Sequence, residues 1–390
     1  MTIQIVNFAL PNVLDYYLNK YQTTKPPADI PDYAVEFRNL NHDNYLPLYE
    51  FISLNKTDCF YRSDGNPDCL LLPGTPESFT KFSGSISGIF PELHKKLSKV
   101  LSSFFHIHQN FSLISNSPGA QFPYVMGILN VTPDSFSDGG KYLNANSAIS
   151  HALEMIEQGA DIIDIGGEST RPGSHFISPD EELNRVIPVI DGILKNNPAA
   201  VLSVDTTKAT VARAALDRGV RIINDISGLT FAPDILEPVI EYNATLVIMH
   251  ISGTPKNMQV NPHYDNVVNE VYDFLSRQTE TAEKAGVHDI IIDPGIGFGK
   301  KAGDNYEIIQ RQNELNALGY PLLIGLSRKS FIGKSLNLDI DSRDTATATL
   351  ETLCMKQGAT IVRTHNVKNA VHSRNILKFL NNPESLNTNV

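Results

Sequence analysis

The sequence predicts an α/β protein: a (β/α)8 barrel of the TIM type over residues 121–390, preceded by a small α+β domain over residues 1–120. Three observations carry this. From Phe122 to Leu380 eight short apolar runs recur, each ending in a polar residue or a glycine. Segments of helical period separate them. A glycine stands just before five of the runs.

The runs are YVMGILN, DIIDIG, VLSVD, RIIND, TLVIMH, DIIID, PLLIGLS and TIVRTH, ending at Asn130, Gly166, Asp205, Asp225, His250, Asp293, Ser327 and His365. They are continuous rather than alternating, the pattern of strands covered on both faces in a parallel sheet. The segments between them read as helices. Ser178 offers an N-cap, Pro179 suits the first helical position, and Asp180, Glu181 and Glu182 place acids in the first turn. Val186, Ile187, Ile190 and Leu194 then recur at helical spacing. Gly159, Gly219, Gly286, Gly319 and Gly358 supply the left-handed residue that ends a helix. Eight such units match the usual size of a (β/α)8 barrel, about 250 residues. A doubly wound open sheet is the competing architecture, but it predicts neither eight repeats nor the lack of a G-x-G-x-x-G turn.

Residues 1–120 do not keep this rhythm. DCLLLPGTPESFTKF reads as a strand, a turn and the start of a further element. PELHKKLSKVLSSFF reads as an amphipathic helix, and FHIHQNFSLIS as an alternating strand. SNSPGAQFP, polar and with two prolines, marks the junction. His106 and His108 alternate with Phe105 and Ile107. Exposed strand histidines are the plainer reading, a metal pair the sharper one.

Composition excludes several classes. The 390 residues are 41% hydrophobic and 19% charged, enough apolar surface for a real core. A formal net charge of −11 argues against a nucleic-acid binder. Cys59, Cys69 and Cys354 are neither a disulfide framework nor a zinc set, and suit reduced thiols of a cytoplasmic protein. No secretory signal opens the chain, and no apolar stretch approaches the ~18 residues of a membrane span.

In a barrel the loops after the strands form the active face. Asn130, the Gly166–Gly173 loop, Asp205, Asn224, Met249, His250, Asp293, Ser327, Arg328, Lys329, Arg363 and His365 therefore converge on one mouth. Asp205, Asn224 and Asp293 are groups that read a flat, nitrogen-rich heterocycle, since a carboxylate accepts parallel N–H bonds from an amino-pyrimidinone edge. Lys329, Arg363 and His365, with Asn130, can hold a diphosphate. Plainer readings stand beside these: Asp205 and Ser327 can cap the helices that follow, and Arg328 and Lys329 can be a solvated loop. NVTPDSFSDGG and GGESTRPGS are long enough to cover a site. DPGIGFGK lacks the G-x-x-x-x-G-K-[ST] spacing, which rejects a nucleoside triphosphate loop; Phe298 in it lines an aromatic pocket.

VMGILNVTPDSFSDGG, IIDIGGESTRPG, SVDT, IINDISG, MHISGTP, IDPGIGFGK, GLSRKSFIG and IVRTHNV together resemble the dihydropteroate synthase family, over about two thirds of the chain. The resemblance implies condensation of a 6-hydroxymethyl-7,8-dihydropterin diphosphate with p-aminobenzoate, with Mg²⁺ as cofactor. Pterin contacts fall to Asp205, Asn224, Ile226, Met249, Asp293, Phe298, Gly325 and Lys329, and diphosphate contacts to Asn130, Arg363 and His365, with Asn130 also on the metal. The p-aminobenzoate pocket falls to Phe136, Thr170, Arg171, Pro172 and Ser327; the residues carrying the chemistry are Asp205, Lys329, Arg363 and Asn130. A homodimer built on barrel helices away from the loops is implied, as are cytoplasmic location, membership of the sulfonamide target class, and partners that are small substrates rather than membranes or nucleic acid. A corrinoid-linked methyltransferase of the wider pterin-binding group, and a degenerate barrel that binds pterin without turnover, are the alternatives; the cationic diphosphate cluster argues against the first, and intact Asn130, Asp205, Lys329 and Arg363 against the second. One departure is notable: the last motif reads Arg-Thr-His-Asn, where the family usually places an apolar residue and an aspartate around the histidine.

Overall fold

The protein is described by a computed structural model covering residues 1–8, 11–21, 31–40, 42–54, 61–62, 69–105, 122–132, 141–169, 174 and 176–384. It divides into two compact units, Met1–Ile107 with Asn313–Gly319, and His108–Gln312 with Tyr320–Val390. The boundary expected at residue 120, the FHIHQNFSLIS segment from residue 106 and the junction lie outside the described residues.

The first unit is α+β. Strands β1 (Thr2–Asn7), β2 (Tyr33–Arg38), β3 (Tyr61–Arg62) and β4 (Leu70–Gly74) form an antiparallel sheet in the order β1-β2-β4-β3. Helices α1 (Pro11–Lys20), α2 (His42–Leu54), α3 (Pro76–Ile86) and α4 (Pro91–Phe105) complete it. The expected strand and turn are β4 and the capping box at Thr75, whose hydroxyl accepts from the Ser78 amide while the Ser78 hydroxyl accepts from the Thr75 amide. The amphipathic segment is α4. The core gathers Val6, Tyr17, Tyr21, Ala34 and Leu71. Glu36 is buried within it, held by Lys20 at 2.6 Å, Arg38 at 2.7 Å and the Tyr21 hydroxyl at 2.8 Å. Burial opposes its charge, but Arg38 and Lys20 more than offset that, leaving the carboxyl at about 2.

The second unit is the barrel. Its strands are β5 (Tyr124–Asn130), β6 (Ile162–Gly166), β7 (Leu202–Asp205), β8 (Ile222–Asp225), β9 (Thr245–Met249), β10 (Ile290–Asp293), β11 (Leu323–Ile324) and β12 (Ile361–Thr364). All pair in parallel in the order β10-β9-β8-β7-β6-β5-β12-β11, and an Ile292–Leu322 bridge joins the two ends. The eight strands fall on the eight predicted runs. β11 is far shorter than PLLIGLS, because the chain leaves the ladder after Ile324 to bring Gly325, Ser327 and Lys329 across the mouth.

Helices α5 (Lys141–Glu157), α6 (Pro179–Asn196), α7 (Ala209–Leu216), α8 (Leu236–Glu241), α9 (Val267–Ala285), α10 (Ala302–Arg311), α11 (Ser330–Leu336), α12 (Asp344–Lys356) and α13 (Val367–Asn381) follow the strands. Ser178 caps α6 by accepting from the Glu181 amide at 3.1 Å, with Pro179 at the first helical position. Its buried stripe is Val186, Val189, Ile190 and Ile193; Ile187 and Leu194 are only half-buried, so the core-facing arc lies slightly off the predicted one. All five helix-ending glycines have positive φ, between 85° and 109°.

The barrel floor fixes the site. Tyr124, Met126, Ile162, Val201, Ile222, Val247, Ile291, Leu323 and Ile361 pack as one buried layer, contributed by seven of the strands and by Val201 just before β7. Side chains alternate along a strand, so positions two and four residues further on also face the lumen. Within the strands those positions are Ile128, Asn130, Asp164, Gly166, Ser203, Asp205, Asn224, Met249, Asp293 and Arg363, with Gly325, Ser327 and His365 just beyond the ends of β11 and β12. An apolar floor is thus topped by a polar layer at the carboxyl ends of the strands.

Candidate active site

Arg363 is the hub of the polar layer. Its Nε donates to Asp164 Oδ2 at 2.6 Å and a terminal nitrogen to Asp205 Oδ2 at 3.1 Å. Asn224 Nδ2 donates to the same Asp164 oxygen at 3.1 Å. One guanidinium thus lies between two buried carboxylates from neighbouring strands. Burial pushes the Asp205 carboxyl up, the Arg363 guanidinium opposes this, and Asp164 and other nearby acids add to the rise. The second Asp164 oxygen and the Asn224 carbonyl oxygen are buried without a hydrogen-bond partner, acceptor capacity left over at the bottom of the mouth. A Cβ on Gly166 would touch both Asn130 Oδ1 and Asp205, so that glycine seats the two next to each other. One on Gly325 would lie 3.6 Å from the Arg363 side chain.

A second group stands on the loop after β10. Asp293 is buried; its Oδ1 accepts from the Gly295 amide at 2.7 Å, and burial raises its pKa although Lys329 opposes this. Lys329 donates to the Ile296 carbonyl and lies 4.7 Å from the centroid of the Phe298 ring. Burial lowers its pKa to about 8, and Asp293 limits the fall. Ile226, Met249, Ile251 and Met258 form one apolar patch with Phe298 and Phe231 against it. Flat apolar walls thus stand next to Asp293, a carboxylate.

The loop itself is held from behind. Lys300 is buried and spends its three donors on His250 Nδ1 at 2.8 Å, Gly295 O at 2.9 Å and Phe298 O at 3.1 Å. Burial lowers it to about 7. A lysine turned inward this way cannot cradle a phosphate, in keeping with the rejection of a nucleoside triphosphate loop.

The third group joins β11 to β12. Ser327 Oγ accepts from the His365 amide at 3.1 Å and lies 3.1 Å from His365 Nδ1. Thr364 Oγ1 is 3.5 Å from the same hydroxyl.

The capping alternatives are not realised. Helix α7 has Lys208 at its N-cap with no side-chain cap bond, and α11 begins after Lys329, also uncapped. Arg328 is not a free solvated side chain either: it is half-buried and its guanidinium forks onto Asp344. Phe136, Thr170, Arg171 and Pro172 lie outside the described residues, as does Cys59; Cys69 and Cys354 are buried. Sequence reasoning missed Asp164. Its signal was a lone carboxylate inside the apolar run DIIDIG, on the lumen side of the strand. It also missed the Lys208–Glu168–Glu182 ion cluster, in which Glu182 is fully buried.

A family profile described as pterin binding enzyme matches residues 126–365. A dihydropteroate synthase of Synechocystis sp. is 47% identical over 249 residues, 63% of this chain and 86% of that one. The chain belongs to the dihydropteroate synthase family. The family's structures agree in three dimensions. The Yersinia pestis dihydropteroate synthase, solved with a sulfonamide drug complex, is 42% identical with a TM-score of 0.63, covering 67% of this chain and 94% of that one. The Xanthomonas albilineans dihydropteroate synthase with 4-aminobenzoic acid is 41% identical with a TM-score of 0.63, covering 67% and 93%. The family match begins at residue 126, so the residues before it, among them most of the first unit, lie outside it.

Proposed function

We infer that the chain is a dihydropteroate synthase. It joins 6-hydroxymethyl-7,8-dihydropterin diphosphate to p-aminobenzoate, giving 7,8-dihydropteroate and diphosphate. The observation that carries this is the polar layer: carboxylates, two amides, Arg363 and His365 set two and four residues above one barrel floor, with Lys329 on the loop after β11. The family's solved relatives support the same reading.

In this reading Asp293, Asn224 and Asp205 hydrogen-bond the pterin edge, while Met249, Ile226 and Phe298 pack around the ring. Gly325 leaves space beside Arg363, and Lys329 lies along the ring. Arg363, His365 and Asn130 hold the diphosphate. The bond between the pterin methylene and the diphosphate oxygen breaks first, its electron pair leaving with the diphosphate. Arg363 and Lys329 stabilise the charge that develops on it. Asp205 stabilises the methylene cation left behind. The aniline nitrogen then forms the new C–N bond and loses a proton, with Ser327, Phe136, Thr170, Arg171 and Pro172 shaping its pocket.

Mg²⁺ suits this site as a companion of the diphosphate. Such an ion keeps most of its waters and takes few protein oxygens. Asn130 Oδ1 would be the protein's ligand, and no cluster of three or more acidic, histidine or cysteine side chains stands ready for a resident ion among the described residues. When bound, the metal adds positive charge on the leaving group.

We also propose a homodimer. Ile376, Phe379 and Leu380 are exposed at helical spacing on α13, and Leu353 is exposed on α12 packed against it. Light scattering at twice the chain mass is the expected result. Cytoplasmic residence and a place as a sulfonamide target belong to the same reading; no described helix is long and apolar enough to cross a membrane.

The test is product identity. The purified chain, given the pterin diphosphate, Mg²⁺ and p-aminobenzoate, should form a compound with the mass of dihydropteroate. Tight binding of the pterin diphosphate with no such product would favour the degenerate-barrel alternative.

A further inference from the structure

The Arg-Thr-His-Asn departure places an amide where the family usually has an aspartate, and the structure shows what that amide faces. Asn366 Nδ2 donates to Asp344 Oδ2 at 2.9 Å. Its own Oδ1 is taken up as the N-cap of α13, accepting from the Asn369 amide at 3.1 Å. Asp344 in turn accepts both prongs of the Arg328 guanidinium, Nε at 2.6 Å and a terminal nitrogen at 2.8 Å.

Arg328 is the middle residue of the Ser327-Arg328-Lys329 loop, and it is left-handed, with φ of 57°. For a residue with a Cβ that conformation is disfavoured and persists only when its surroundings over-determine it. Here they do: the Arg328 amide donates to Thr347 Oγ1 at 3.2 Å and its carbonyl accepts from Arg343 at 2.9 Å, both close to Asp344 in sequence. The reversal turns Arg328 out toward α12 and brings its two neighbours to the mouth, Ser327 against His365 and Lys329 over Phe298.

We propose that Asp344 is a positioning residue: with Asn366 it locks Arg328 in its left-handed turn and so sets Ser327 for p-aminobenzoate. The carboxylate the last strand lacks is supplied from the first turn of α12. An aspartate at 366 would put a second carboxylate against Asp344, so the amide at 366 and the acid at 344 form one matched arrangement. The Arg328 fork, foremost, and the Asn366 bond hold the Asp344 carboxyl below the usual carboxylate range. This rests on the synthase reading for its kinetic consequence, but not for its geometry.

The test is a reciprocal exchange in the full-length chain: Asp344→Asn, and Asp344→Asn with Asn366→Asp, which returns the carboxylate to the other side of the same hydrogen bond. Two readouts are taken. The first is the side-chain Nε–H resonance of Arg328 in nitrogen-15 NMR, assigned by its loss in Arg328→Lys and needing no turnover. The second is steady-state kinetics. Asp344→Asn should lose the slowly exchanging Arg328 signal and raise KM for p-aminobenzoate about tenfold, with kcat changed by less than about threefold, as befits one charge-assisted fork. The exchange variant should regain the signal and most of the KM. A signal that persists in Asp344→Asn, or an exchange variant no better than the single one, overturns the proposal. Were the unaltered chain to form no dihydropteroate, the functional reading would fall, and the resonance would still decide the lock.

Discussion

Arg363 carries more of the site than any other side chain. Burial works against its charge, but Asp164 and Asp205 more than offset that and keep it ionised. Lys329 is its counterpart across the mouth, half-buried against Phe298 with a pKa drawn down to about 8. Replacing either by alanine removes a positive charge from where the leaving group develops its own, and each of Lys329→Ala and Arg363→Ala should lower kcat/KM by at least ~100-fold. Near-normal turnover in both, with folding verified by circular dichroism, would sink the assignment. At this scale the sequence was informative wherever a residue ended a strand or stood next to its end. Asn130, Asp205, Asn224, Asp293 and Arg363 could be placed because their runs could be counted. Asp164 could not, because a carboxylate in mid-strand is seen to matter only once the floor residues show which parity faces inward. Nor could Asp344, whose partner Arg328 is near in space only after the loop reverses.

Among the elements, the loop Asp293–Lys300 shows how backbone conformation serves chemistry. Gly295, Gly297 and Gly299 all have positive φ, at 67°, 84° and 63°. A Cβ on Gly295 would overlap the His250 carbonyl oxygen at the end of β9. The loop therefore lies on the neighbouring strand end in a way a side chain forbids, and Lys300 fastens it there. Gly295→Ala should lower both stability and activity, the former by more than about 2 kcal/mol because strain and overlap add. Equilibrium denaturation reads the first; an unchanged midpoint would contradict this picture of the loop. The pattern of glycines was legible in the sequence as a non-helical segment, and its spacing was enough to reject a nucleotide loop. The inward turn of Lys300 was not legible, because a lysine in a glycine-rich loop reads as an anion ligand until its three acceptors are seen.

For the whole molecule, the eightfold rhythm was the most legible feature, since each buried parallel strand had to be a continuous apolar run. The first unit was read only as α+β, and its strands β1 and β2 went unassigned. Their pairing is with each other across a long gap in sequence, and antiparallel register of that kind leaves no local mark. Stability of the whole chain should also depend on pH through Glu351, buried on α12 with neither carboxyl oxygen in an ordinary hydrogen bond. Burial, with Asp344 adding to it, raises its pKa from 4.5 to about 8. The folded form then keeps a proton that the unfolded chain releases, so stability falls as pH rises between those values. Glu351→Gln should accordingly raise the Tm of the barrel by at least ~3 °C at pH 8 and change it little at pH 4.5. A shift of equal size at both would contradict the titration. The most direct test of the central claim is diphosphate release by the unaltered full-length chain, measured with the pterin diphosphate and Mg²⁺, with and without p-aminobenzoate. The account predicts release that depends on p-aminobenzoate and matches dihydropteroate formed one for one. Release that ignores p-aminobenzoate, or none at all, would contradict it.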